Sequence, residues 1–135
     1  MKILFIEDNV DFSEPATEVF ESLGFKVSVV DSADDFAALS VDELSLFGVV
    51  VIDAMLRLGR VLKRDEAPET GVAIFRRIRK AFPKIPVLFL TALQRSDVTR
   101  MVTLDERTAY HGKPIPKDFS ALATIMAGLA KLGQK

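Results

Sequence analysis

Five side chains spread along the 135-residue chain could do chemistry together: Glu7, Asp8, Asp53, Thr91 and Lys113. Each comes at the end of a short apolar run. Glu7 and Asp8 follow ILFI (3–6), Asp53 follows VVVI (49–52), Thr91 follows VLFL (87–90), and Gly112 and Lys113 follow TAYH (108–111). If these runs are parallel strands, their carboxyl ends bring three carboxylates, a hydroxyl and an ammonium to one rim, where ligands of such sheets gather. Three carboxylates repel one another, and burying even part of the group costs several kcal/mol unless positive charge offsets it. Oxygen-only donors with space for water point to magnesium, which keeps several waters and takes one or two carboxylates plus a phosphate oxygen. That combination is phosphoryl-transfer chemistry, in which an aspartate can be the nucleophile and form an acyl phosphate. Asp53, central among the acids, suits that role. Taken singly, each residue has a plainer explanation, because acids, Ser and Thr after strands commonly cap helices and a lone Lys is usually a surface charge. Their joint spacing carries the argument.

The elements that must position these residues are legible. Continuous apolar runs mark strands buried on both faces, with VSVV (27–30) as a further one and TAYH the weakest. FSEPATEVFESLG (12–24) reads as a helix with Ser13 as cap, Pro15 in the first turn, Val19, Phe20 and Leu23 as its apolar face and Gly24 as its stop. SADDFAALSVDEL (32–44) is a second helix. GVAIFRRIRKAF (71–82) is the clearest, with Ile74, Phe75 and Ile78 on one side, basic residues on the other, and Pro83 following. SDVTRMVTLDE (96–106) predicts a shorter, loosely held helix, and PKDFSALATIMAGLAKLG (116–133) a last amphipathic one ended by Gly133. This alternation predicts an α/β fold, a single domain spanning 1–135 with a doubly wound parallel sheet.

Composition narrows the function classes. The chain is 49% hydrophobic and 27% charged, ordinary for one good core. Lys plus Arg (18) nearly balance Asp plus Glu (19), so no overall field steers the chain to nucleic acid or to an anionic membrane. Cysteine is absent, which excludes disulfides, thiolate metal sites and a cysteine nucleophile. No leader-like segment and no 18-residue apolar span occurs, making a cytoplasmic protein the default. His111, the only histidine, reads as a surface or sheet-edge residue, since a phosphohistidine donor needs an exposed helical site.

In order, FIED, VVVIDAM, FLTA and YHGKP resemble the receiver domain of two-component response regulators (CheY-like), over essentially the whole chain. The resemblance implies a flavodoxin-like fold, five parallel strands in the order 2-1-3-4-5 with five helices. It implies that Glu7 and Asp8 hold magnesium together with Asp53 and the backbone carbonyl of Met55, and that Asp53 is phosphorylated. Thr91 would contact the phosphoryl group, with Ala92 offering its N–H, and Lys113 would pair with a phosphoryl oxygen, the Lys113–Pro114 bond being cis. Thr91 and Tyr110 would be the switch pair. The expected donor is a histidine kinase or histidine phosphotransfer protein, and the chain would not be an enzyme but a self-phosphorylating acceptor with slow autodephosphorylation. The signal would pass by altered binding of a downstream protein at the fourth helix, last strand and last helix, with no direct nucleic-acid binding and no membrane insertion. With its last helix ending near the C-terminus, the chain reads as a stand-alone receiver, a fragment of a larger regulator being the alternative.

Other classes fit less well. A phosphatase with an aspartate nucleophile would place a second acid two residues on, where Met55 stands. A flavin binder would need a Ser/Thr/Gly-rich loop where EDNVDF is acidic. A receiver-shaped scaffold that is never phosphorylated would keep the fold without using the site residues.

Three features depart from the family pattern. Leu56 stands where Pro is frequent, LDERTAY replaces a Gly-Ala turn, and the stretch from 54 to 70 is about ten residues longer than usual. That loop carries Arg57, Arg60, Lys63 and Arg64, then Asp65, Glu66 and Glu69. It reads first as a solvated connection; because it borders Asp53, the functional reading is that it controls access of water or a partner. Deleting residues 58–66 is expected to change the rate of phosphorylation or of dephosphorylation at Asp53; unchanged rates for both would leave the loop a plain connection.

Overall fold

The computed structural model describes residues 2–7, 10–53, 70–91, 107–112 and 120–133. In chain order these form β1 (Lys2–Ile6), α1 (Val10–Ser22), β2 (Lys26–Val30), α2 (Ala33–Ala37), α3 (Val41–Leu44), β3 (Val49–Asp53), α4 (Thr70–Ala81), β4 (Val87–Thr91), β5 (Thr108–Gly112) and α5 (Ser120–Gly133). The five strands make one parallel sheet in the order β2-β1-β3-β4-β5, so every predicted apolar run is a strand and the doubly wound order is the expected one.

The alternation of side chains along each strand divides the core into two layers. Leu4, Ile6, Val50, Ile52, Val87 and Phe89 face Phe36, Ile74, Phe75 and Ile78, from α2 and α4. Ile3, Phe5, Val49, Val51, Leu88 and Leu90 face Ala16 and Phe20 of α1 and Met126 and Leu129 of α5. Full burial of each such side chain contributes about 1.5–3 kcal/mol, which is why the runs on the three central strands are continuously apolar. Phe5 and Phe20 meet edge to face at 5.6 Å and 77°.

Two helices differ from expectation. In α1, Ser13 is buried within the helix instead of capping it, and Pro15 lies inside the helix and not in its first turn. The reason is the apolar spacing: Phe12, Ala16, Val19 and Phe20 share a face, and Phe12 reaches the edge of Phe5 at 6.5 Å only if the helix is already running by that residue. The end of α1 is as read. Gly24 takes φ +96° and donates its N–H to the Glu21 carbonyl, while Phe25 N–H bonds the Phe20 carbonyl, the paired closure in which glycine is favoured.

The second predicted helix, 32–44, is broken in two. Ser32 Oγ accepts the Asp35 N–H to open α2. Ser40 then opens α3: its hydroxyl accepts the Glu43 N–H at 3.1 Å while Glu43 Oε1 accepts the Ser40 N–H at 3.2 Å. A reciprocal cap of this kind satisfies two donors at a new helix start, so the chain restarts there instead of continuing. The predicted fourth helix (96–106) and the long loop (54–70) lie outside the described residues, except for Thr70, which begins α4.

Candidate functional site

Register alone builds the rim. Ile6 pairs with Ile52, so Glu7 lies level with Asp53; Asp53 pairs with Leu90, and Leu90 with His111. Thr91 pairs with Gly112 one step further on, at the same edge. Asp53 and Thr91 are themselves the last strand residues and not the first ones beyond, a shift of one position from the sequence reading. Tyr110 lies opposite Phe89 on β5. Asp8, Met55, Ala92, Lys113 and Pro114 fall outside the described residues.

The ladder continues past β1, since Glu7 N–H donates to the Val30 carbonyl at 3.0 Å. Glu7 therefore keeps the alternation of Ile3 and Phe5, and Asp53 that of Val49 and Val51, so both carboxylates belong to the α1/α5 side of the sheet. Both are buried, Glu7 at 1% and Asp53 at 5% exposure. Oxygen donors at the ends of adjacent strands are of the kind that a hard divalent cation takes. The edge is acidic beyond this pair. Asp31 follows β2, and its side-chain hydrogen bond with Asp35 holds the Asp35 carboxyl above the ordinary carboxylate value, with the Ser32 hydroxyl acting the other way.

One interaction network was missed by the sequence reading, which placed all the basic residues of α4 on its solvent side. Arg76, Arg77 and Lys80 are exposed, but Arg79 is half-buried. Its guanidinium lies 5.2 Å from the Phe75 ring centroid, donates from Nη1 to the carbonyls of Pro83 (3.1 Å) and Ile85 (2.6 Å), and from Nη2 to Thr108 Oγ1 (3.1 Å). Arg107 Nη1 likewise reaches the Leu132 carbonyl at 2.8 Å. These two side chains tie the starts of β4 and β5 to the ends of α4 and α5, and so fix from below the strands whose upper ends carry Thr91 and Gly112. The available signal was the i, i+4 spacing of Phe75 and Arg79, which stacks a cation on a ring.

Among solved structures the chain is similar to the signal receiver domain of a DNA-binding response regulator (merR) from Colwellia psychrerythraea 34H, at 27% identity over 97% of this chain and 98% of that one, with a TM-score of 0.70. It is similar to the BeF3-activated N-terminal receiver domain of RstA from Klebsiella pneumoniae at 23% identity, covering 96% of this chain and 98% of that one (TM-score 0.68). A CheY-like receiver domain protein from Methanospirillum hungatei JF-1 matches at 19% identity over 98% and 96% of the two chains (TM-score 0.72). No protein-family model and no curated protein matches. The fold is that of the response regulator receiver domains, the class its motifs resemble. Among the described residues no helix is long and apolar enough to cross a membrane.

If Glu7 and Asp53 repel at this rim, removing one charge relieves the strain. Without divalent metal, Asp53→Asn is expected to raise the thermal midpoint by about 4 °C, corresponding to roughly 1 kcal/mol; a lowered midpoint in calorimetry would contradict the repulsion.

Proposed function

We propose that the chain is a receiver of a two-component or phosphorelay system, acting in the cytoplasm, in which Asp53 accepts a phosphoryl group from a phosphohistidine of a histidine kinase or phosphotransfer protein. The observation that carries this reading is the register that lays Glu7 beside Asp53, both buried, with Thr91 and the position before Lys113 paired at the same edge. The 27% identity to a signal receiver domain along nearly the whole chain supports it.

In this mechanism an Asp53 carboxylate oxygen attacks phosphorus in line. The Oδ–P bond forms as the N–P bond of the phosphohistidine breaks, and the imidazole leaves to the donor protein with a proton from solvent. Glu7, Asp8, Asp53 and the Met55 carbonyl would hold a magnesium ion, whose charge offsets that of the transferring group. Lys113 pairs with one phosphoryl oxygen, while the Thr91 hydroxyl and Ala92 N–H receive the others after transfer. Movement of Thr91 leaves space for Tyr110 to turn, converting a local charge change into an altered binding surface. The chain is an acceptor that loses its phosphate slowly, not an enzyme with turnover.

Acetyl phosphate with magnesium is expected to add one phosphate to the intact mass. Asp53→Asn and omission of the metal should each abolish the addition; a variant that still takes up one phosphate would move the acceptor elsewhere.

A further inference from the structure

The near balance of charge hides a segregation. Residues 1–53 carry twelve acids against two bases, and residues 54–135 carry seven acids against sixteen bases. In the fold, both bases of the first part stand at strand starts. Lys2 opens β1 and Lys26 opens β2, paired in register, and Lys84 and Arg107 precede β4 and β5. The amino-terminal edge of the sheet is therefore cationic, opposite an edge that carries Glu7, Asp31 and Asp53. Cations at this end suit the helix C-termini that lie there, and Arg107 is used in that way at the end of α5, while Arg79 bonds the turn after α4. Lys2, Lys26, Lys80 and Lys84 are exposed.

An apolar groove of about 400 Å³ opens at this cationic edge, between the end of α3 and the end of α4. Among its walls are Phe47, Gly48, Phe82, Pro83, Lys84 and Ile85. Lys2 Nζ lies 5.5 Å from the Phe47 ring centroid, which brings a second ammonium to the groove beside Lys84. Leu46, adjacent in sequence to the wall, is 65% exposed. The acids facing this side are Asp42 and Glu43 of α3, and Glu43 is held by the Ser40 N–H. Two exposed lysines, Lys2 and Lys84, stand at the groove, and the guanidinium groups of Arg79 and Arg107 add positive charge by bonding its Pro83, Ile85 and Lys84 carbonyls.

We propose that this groove is a docking site for a partner-protein segment that carries one apolar anchor residue flanked by carboxylates. Its size admits one or two large side chains, and the surrounding ammonium groups select an anionic flank. The groove lies a strand length, roughly 16 Å, from Asp53, so a docked segment leaves the acidic rim open. Docking here does not depend on phosphorylation.

The test uses the full chain and synthetic nonapeptides with Phe, Leu, Ile or Tyr at the centre and Asp or Glu at the remaining positions. Saturable binding is expected, with amide shift changes at residues 45–48 and 81–85. It should weaken about tenfold with Lys84→Glu or on going from about 0.05 M to about 0.5 M salt, and persist in Asp53→Asn. No saturable binding, shifts confined to other surfaces, equal binding of peptides with Lys in place of the acids, or occupation of the groove by a second copy of the chain would each overturn the proposal.

Discussion

Two carboxylates held level by a parallel ladder set the terms for the rest of the molecule. Glu7 is fixed by a backbone bond to Val30 and Asp53 by pairing with β4, so neither can withdraw without breaking strand pairing. Burying two carboxylates at one strand edge carries a desolvation cost that the two hydrophobic layers must exceed. Phe5, Phe20, Val51 and Leu90 on that side of the sheet supply the burial that makes the arrangement sustainable.

The same constraint explains the polarity of the whole sheet. Parallel strands expose all their carboxyl ends at one edge and all their amino ends at the other, so charge placed after one strand is added to charge placed after the next. Acids collect above, lysines and arginines below, and the lower edge is stitched by Arg79 to carbonyls of the turn between α4 and β4 and by Arg107 to a carbonyl at the end of α5. Rigidity below and charge above are two aspects of one strand direction.

Much of this was legible in the sequence because the relevant signals are local. Five apolar runs gave five strands, the central three being buried on both faces, and residues at their ends fell at one rim once the strands were parallel. What escaped depended on competition between local and distant contacts. Ser13 and Pro15 have the chemistry of a helix start, yet Phe12 packing on Phe5 pulls the start of α1 back to Val10. SADDFAALSVDEL has the composition of one helix, but the reciprocal cap of Ser40 and Glu43 divides it. Arg79 reads as a surface residue, and its partners, carbonyls of a turn and a hydroxyl on a strand, are ones that no helical pattern reveals. Near neutrality of the chain concealed two opposed edges for the same reason, since charge balance ignores where strands begin and end.

The proposal that a divalent cation completes the acidic rim is tested most directly by thermal unfolding with and without magnesium. At free magnesium about tenfold above its dissociation constant, the account predicts a gain of about 1.4 kcal/mol, seen as a raised midpoint that Glu7→Gln and Asp53→Asn each diminish. A midpoint that stays the same in chelator and in millimolar magnesium would contradict it.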